Sequence, residues 1–125
     1  MFEVTVEAHF SSGHYLRDYH GKCENPHGHN YRVLVTLEGE ELEPNGLLLD
    51  FKILKEVLKP VVNYLDHQMI NDLVPFDKVN PSAENLAKYF FDETDARLRS
   101  ITNGRVHVKR STIFETDTSQ ASYSI

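Results

Sequence analysis

Apolar and polar residues alternate along residues 2–10, a period of two that is typical of a half-buried strand. Residues 31–38 are rich in β-branched and aromatic side chains and predict a second strand. Arg105 to Glu115 alternates in the same way and predicts a third, and Tyr123 to Ile125 is a candidate fourth. Between the first two strands, Phe10 to Asn30 is rich in Gly, His, Ser and Asn, which predicts a long functional loop.

Two stretches have the spacing of amphipathic helices. Asp50 is the predicted N-cap of the first, and Pro60 predicts that this helix kinks or ends near Lys59. The second is predicted to begin at Ser82 and to run to about Ile101. The residues between the two helices, Asn63 to Pro81, are predicted to be irregular.

The order strand–strand–helix–helix–strand–strand predicts an α+β domain that spans residues 1–125 as a single unit. Its sheet is a four-stranded antiparallel sheet with two helices on one face. Such a sheet has two exposed edges, and unpaired edges must be covered or joined to other subunits. An oligomer is therefore expected.

Composition argues against some classes of protein. A net charge of −6 argues against general nucleic-acid binding, and the apolar runs are too short to cross a bilayer. The single cysteine cannot form an intrachain disulfide, and the first residues read as strand with no basic leader. A cytoplasmic protein is expected.

Three of the seven histidines form the clearest chemical signal. His27 and His29 are two residues apart, so on a strand both imidazoles project from one face, and His14 lies just upstream. Gly28 between them permits close approach of another backbone or a ligand. Three histidines leave one position of a tetrahedral zinc open, as in catalytic zinc sites. The alternative is a set of hydrogen-bonding loop histidines without metal, which is how we interpret His9, His20 and His107.

Several further residues carry possible chemistry. Cys23 is a candidate base or nucleophile, although a fourth zinc ligand or a buried small side chain is equally compatible with its position. Asp66 beside His67 is a common general acid–base pair, or a simple helix-end ion pair. Glu115, at the end of the third strand, is either solvated or able to accept two parallel N–H bonds from a heterocycle edge.

Taken together, these segments resemble the 6-pyruvoyl-tetrahydropterin synthase / 6-carboxy-tetrahydropterin synthase family along nearly the whole chain. The matching segments are Phe10-Ser11-Ser12-Gly13-His14, the signature from Cys23 to Tyr31, Asp50-Phe51, Leu65-Asp66-His67 with Asn71, Pro81-Ser82-Ala83-Glu84-Asn85, and Glu115-Thr116. The chain departs from the family pattern at Ile70, where the family has Leu, and at Ser82, where it has Thr.

The resemblance implies the tunnelling fold, in which sheets join into an oligomeric barrel, here a homohexamer built as a dimer of trimers. It also implies Zn²⁺ on His14, His27 and His29, with Cys23 as the general base. Asp66 and His67 of a neighbouring subunit would form a proton relay, and Glu115 and Thr116 would bind the pterin ring. The implied substrate is 7,8-dihydroneopterin triphosphate.

The implied product depends on the branch of the family. The spacing from Cys23 to His27 resembles the branch that forms 6-carboxy-tetrahydropterin and acetaldehyde for queuosine and 7-deazaguanine synthesis. The pyruvoyl-forming branch is an alternative. Glu24 resembles the glutamate of a third branch, which makes 6-hydroxymethyl-dihydropterin for folate synthesis, so a dual activity is a further hypothesis. Outside the family, a non-enzymatic zinc-binding module and a zinc hydrolase stay open, although the chain lacks a His-Glu-x-x-His helix.

Overall fold

A computed structural model describes all 125 residues. Four strands, β1 (Phe2–His14), β2 (His27–Gly39), β3 (His107–Thr116) and β4 (Ser119–Ser124), form one antiparallel sheet in the order β1-β2-β3-β4. Two helices, α1 (Phe51–Leu65) and α2 (Ala83–Thr102), cover one face: α1 packs on β1, and α2 packs on β3 and β4. The predicted α+β architecture is confirmed. Neither helix is long and apolar enough to cross a membrane.

The core lies between the sheet and the helices. Every second residue of β2 faces the helices and is fully buried from Tyr31 to Leu37, and the apolar faces of α1 and α2 close the other side. The fully inaccessible apolar side chains include Tyr31, Val33, Val35, Leu37, Leu54, Leu65, Leu86, Phe90, Leu98 and Ile113. Burial of one such side chain contributes about 1.5–3 kcal/mol.

The first two strands are longer than the sequence predicted. β1 continues to His14 and β2 begins at His27, so the loop between them shrinks to residues 15–26. The period of two does continue, since Phe10, Ser12 and His14 are all buried. The buried positions carry polar side chains there, which hid the strand from a hydrophobicity pattern.

Helix α1 also runs further than predicted. Its N-cap is Asp50, whose side chain accepts a hydrogen bond from the Lys52 N–H at 2.9 Å, as expected. Pro60 does not end the helix, which continues to Leu65 because Val61 and Leu65 are buried against the core. Tertiary burial outweighs the hydrogen bond that Pro60 cannot donate.

The remaining boundaries lie close to prediction except at the C-terminal strand. Helix α2 begins after Ser82, whose hydroxyl accepts from the Asn85 N–H at 3.1 Å. It ends at Asn103, which takes the left-handed conformation with φ 53°. β4 begins at Ser119, four residues before the predicted start, because polar serines and Gln120 obscure its alternation.

The segment after α1 covers the inner end of edge strand β1. The His67 N–H donates to the Ser11 carbonyl at 2.7 Å, and the Gly13 N–H donates to the Gln68 carbonyl at 2.9 Å. Asn71 holds Tyr15 through both backbone groups, accepting from its N–H at 3.0 Å and donating to its carbonyl at 2.9 Å. These bonds fix the strand end that carries His14.

Candidate active site

Strand pairing brings the three histidines together on the helix-covered face of the sheet. His14 pairs directly with His27, and Ser12 pairs with His29, so all three imidazoles share one end of the β1–β2 ribbon. The ring centroids are 4.6–5.0 Å apart. One ligand nitrogen of each ring lies within 4.8 Å of the other two. The two strand extensions therefore create the cluster that the His-Gly-His spacing predicted.

Backbone carbonyls fix the tautomers of two of these rings. His14 Nδ1 lies 2.7 Å from the Pro81 carbonyl oxygen, and His27 Nδ1 lies 2.7 Å from the Asn25 carbonyl oxygen. A carbonyl only accepts, so each Nδ1 must carry the proton. In the neutral ring, Nε2 then presents a lone pair. This is the arrangement by which proteins orient metal-binding histidines.

The cluster fits a divalent metal ion. His14 is 1% exposed, and Nε2 of both His14 and His29 is buried without a hydrogen-bond partner. Burial lowers the pKa of His29, which favours the neutral form that binds metal. Buried ring nitrogens without hydrogen-bond partners are costly, and a cation bound between the rings would satisfy them. Imidazole nitrogens suit zinc, copper, iron or nickel.

Glu115 reaches into the same cluster from β3. The β3–β4 register shifts between Phe114 and Thr116, so Glu115 stands in a bulge opposite no single partner. Its Oε1 atom lies 3.0 Å from His14 Nε2 and 3.5 Å from His29 Nε2. The contact with His14 holds the pKa of the Glu115 carboxyl below its usual value, although burial opposes the shift. A carboxylate is thus present at the site.

Cys23 and Glu24 lie in the loop that closes over this end of the sheet. Both belong to a short 3₁₀ turn, Lys22–Glu24, and the Cys23 carbonyl accepts from the Leu16 N–H at 2.8 Å. The Cys23 side chain is half-buried, whereas Glu24 is exposed. The converging ligand atoms come from the three histidines and not from Cys23. Cys23 therefore remains available for acid–base chemistry.

Asp66 and His67 lie at the outer edge of β1. Asp66 Oδ1 accepts from the Ser11 N–H at 2.9 Å and lies 3.0 Å from His67 Nδ1. The Ser11 hydrogen bond, followed by that of His67, lowers the pKa of Asp66. The His67 side chain is 82% exposed and forms no hydrogen bond or ion pair with the histidine cluster. Within one chain the structure does not bring this pair to the metal-binding histidines.

Thr116 and Gly28 were expected to contact the pterin ring and to permit a close approach, respectively. Thr116 is exposed, and its hydroxyl oxygen accepts from the Thr118 N–H at 3.3 Å. At Gly28, an added Cβ would meet only the Ser12 carbonyl oxygen, at an ordinary 3.6 Å. No close approach within this chain requires glycine there, so that part of the interpretation does not apply inside one subunit.

Comparison with known proteins identifies the family. The family model for 6-pyruvoyl tetrahydropterin synthase matches residues 3–125. The chain belongs to this family. It is 35% identical to 6-carboxy-5,6,7,8-tetrahydropterin synthase of Bacillus subtilis over 107 residues, covering 82% of this chain and 71% of that protein. It is 32% identical to the Synechocystis protein of the same name over 128 aligned positions, covering 98% and 93%.

A solved structure from this family has the same fold. The 6-pyruvoyl tetrahydropterin synthase of Caenorhabditis elegans superposes with a TM-score of 0.82 at 30% identity, covering 100% of this chain and 97% of that one. The tetrahydropterin synthase fold thus accounts for the whole chain, including both strand extensions that carry the histidines.

Two contributors to the site were not assigned a role from the sequence. The Pro81 carbonyl orients His14, and backbone acceptors have no signature in a sequence. Tyr31 is fully buried beside His29, with ring centroids 5.4 Å apart, and its hydroxyl has no hydrogen-bond partner. Burial, with a smaller effect of Glu115, raises the pKa of Tyr31. Its place two residues after His29 was the available signal.

Proposed function

We propose that this protein is a zinc-dependent lyase that converts 7,8-dihydroneopterin triphosphate and water to 6-carboxy-5,6,7,8-tetrahydropterin, with loss of triphosphate and acetaldehyde. The convergence of His14, His27 and His29, in a chain of this family, carries the proposal. The names of the Bacillus and Synechocystis relatives support the carboxy product over the alternatives. Such a reaction would supply queuosine and 7-deazaguanine synthesis.

Zinc is the proposed metal because three neutral imidazoles form a typical catalytic zinc set. When bound, it would act as a Lewis acid toward the oxygens of the substrate side chain. The chain's own contribution is to hold His14 and His27 by their Nδ1 atoms, so that their Nε2 atoms face the ion. Burial of His14 excludes water from one side of the site.

The remaining residues are proposed to move protons and to hold the pterin. Cys23, as thiolate, would take a proton from a side-chain carbon, and His67, oriented by Asp66, would exchange protons with the side-chain oxygens. Glu115 would accept two parallel N–H bonds from the aminopyrimidine edge of the ring, and Thr116 would add a further polar contact. Triphosphate then leaves by elimination, and no redox cofactor is required.

A complete site is proposed to need more than one subunit. His67 is exposed and apart from the histidine cluster of its own chain, and both β1 and β4 are sheet edges. Edge-to-edge joining of sheets would bring Asp66 and His67 of one chain to the cluster of another. We propose a homohexamer, assembled as a dimer of trimers, as the active form.

A second product is favoured by one observation. Cys23 and Glu24 occupy the same short turn, so the chain offers a thiol and a carboxylate as alternative bases. Glu24 acting as base would cleave the side chain to 6-hydroxymethyl-dihydropterin. The pyruvoyl product is the other alternative, and the Caenorhabditis structure carries that enzyme's name.

The test is incubation of the zinc-loaded protein with 7,8-dihydroneopterin triphosphate, with products resolved by mass spectrometry. We expect 6-carboxy-tetrahydropterin and acetaldehyde in equal amounts. Cys23→Ala should abolish this product, whereas Glu24→Ala should leave it and remove any hydroxymethyl product. Full carboxypterin formation by Cys23→Ala would show that the base is wrongly assigned. Unchanged substrate from a zinc-replete hexamer would favour the non-enzymatic zinc-binding module.

A further inference from the structure

We propose that Glu115 is itself a ligand of the metal in the substrate-free protein, in addition to the three histidines. The inference rests on the metal site of the proposed function and extends it. It assigns the carboxylate two successive partners: the metal ion before substrate arrives, and the pterin ring afterwards. The resting site would then hold three nitrogens and one oxygen.

The distances agree with shared coordination. Two ligands that each lie 2.0–2.2 Å from zinc, at an angle between a right angle and the tetrahedral angle, are about 3.0–3.5 Å apart. Glu115 Oε1 is 3.0 Å from His14 Nε2 and 3.5 Å from His29 Nε2. Both separations fall in the range for neighbouring ligands of one ion.

The tautomer of His14 is compatible with a cation between the two groups. The Nδ1 proton of His14 is committed to the Pro81 carbonyl, so neutral His14 directs a lone pair from Nε2 toward the carboxylate. Two acceptors at 3.0 Å repel each other unless a positive charge lies between them. A bound metal ion would supply that charge.

The position of Glu115 in β3 leaves part of the site open. Glu115 lies two residues after the buried Ile113, so its side chain projects from the face of the sheet that carries the histidines. Oε1 has no contact within 4.0 Å with His27, so the carboxylate covers only the His14–His29 side. The His27 side stays accessible from the 15–26 loop, where Cys23 is located.

Metal binding by the full chain, stripped of metal and without any pterin, tests the inference. Glu115→Gln keeps the side-chain shape and removes the anionic ligand, and Asp117→Asn removes one charge from an exposed position two residues away. Zinc affinity is measured by competition with a chelating dye, and coordination by the visible absorption of the cobalt-substituted protein. We expect Glu115→Gln to weaken zinc binding by at least about tenfold and to alter the cobalt spectrum. Asp117→Asn should change neither.

Three results would overturn the inference, and they are distinguishable. Wild-type affinity and an unchanged cobalt spectrum in Glu115→Gln would overturn the inference while leaving the three-histidine site intact. A wild-type chain that binds neither zinc nor cobalt would overturn the metal site and the inference together. Equal weakening by Asp117→Asn would attribute the effect to net charge and would also overturn it.

Discussion

Two backbone carbonyls determine which way the metal-binding rings face. Pro81 accepts from His14 and Asn25 accepts from His27, and both strands are locked into register on either side. Such preorientation means that the ligand nitrogens need little rearrangement when a metal binds. Loss of one ring should therefore cost metal affinity far more than it costs folding.

We predict that His27→Ala reduces bound zinc at least about tenfold, because it removes one ligand ring that the Asn25 carbonyl holds in position. Zinc content after gel filtration, measured by mass spectrometry, gives the result. His9→Ala is the matched control, since His9 is exposed and contacts only Glu7. Full zinc occupancy in His27→Ala, with an intact fold by circular dichroism, would contradict the assignment.

A second prediction concerns Asp66 and pH. The Ser11 N–H and His67 lower its pKa in the folded state, so its contribution to stability is fully present above the pKa of the unfolded chain. That contribution is lost as pH falls through the lowered folded pKa. The stability difference between wild type and Asp66→Asn, from urea unfolding, should shrink in this acidic range. Asp77→Asn, at an exposed site, should show no such trend.

An undiminished difference at acidic pH would mean that Asp66 acts through its shape and not through its charge. The same series reports on the proposed relay. If the carboxylate form orients His67, activity at neutral pH should fall in Asp66→Asn.

The histidine cluster was predictable because its residues follow strand periodicity, which a sequence displays directly. His27 and His29 share a face by spacing alone, and His14 joins them through antiparallel pairing. The contact of Glu115 with His14 was not predictable, because it depends on the order of the strands in the sheet, which brings β3 beside β2. The lack of a hydrogen-bond partner for the Tyr31 hydroxyl was likewise not predictable, because it depends on the tertiary packing around that side chain.

Helix α1 shows where local rules give way to burial. Pro60 lacks an N–H and is strongly unfavourable inside a helix, by about 3 kcal/mol relative to alanine. The helix nevertheless continues through it, since Leu58, Val61 and Leu65 each lie at most 2% exposed in the core. Of the two outcomes predicted near Lys59, a kink or an end, the end was wrong, because single-residue propensity competes with several buried side chains.

Pro60→Ala should therefore stabilise the protein, because Pro60 is exposed and its loss restores a helix hydrogen bond. Part of the gain is offset by the greater freedom of the unfolded chain, which leaves a net increase of about 1–2 kcal/mol. Denaturant unfolding of the metal-free protein measures the change. Lys59→Ala, at the neighbouring exposed position, should stay within about 0.5 kcal/mol of wild type. A destabilised Pro60→Ala would mean that the ring supports the adjacent surface.

Strands β1 and β2 were also predicted too short, at the ends that carry the histidines. Ser12 and His14 are buried at positions where a hydrophobic pattern expects apolar residues. The alternation of apolar and polar residues identified the centre of each strand, where residues such as Tyr31 and Val33 pack in the core. It did not identify the strand ends that carry the histidines. Polar residues at buried strand positions are thus a marker of function in this fold.

Strands β1 and β4 form the two edges of the sheet, and within a single chain only part of β1 is covered. The segment 66–69 covers β1 only around Ser11 and Gly13, so the outer part of β1 and the whole of β4 are free to pair. A sheet of this kind is stabilised when neighbouring copies share their edges in a closed ring. The same joining would supply the exposed Asp66–His67 pair to an adjacent cluster.

Mixing inactive variants tests whether one site draws on two chains. Cys23→Ala and His67→Ala should each be inactive alone, but hexamers assembled from an equal mixture should regain about a quarter of wild-type activity, because one site in four combines an intact Cys23 with an intact His67 from its neighbour. Cys23→Ala mixed with His27→Ala is the control and should recover nothing, since both residues come from the same chain. Product formation after co-expression and purification through two tags measures the recovery. Equal absence of activity in both mixtures would place His67 and Cys23 of each site on one chain.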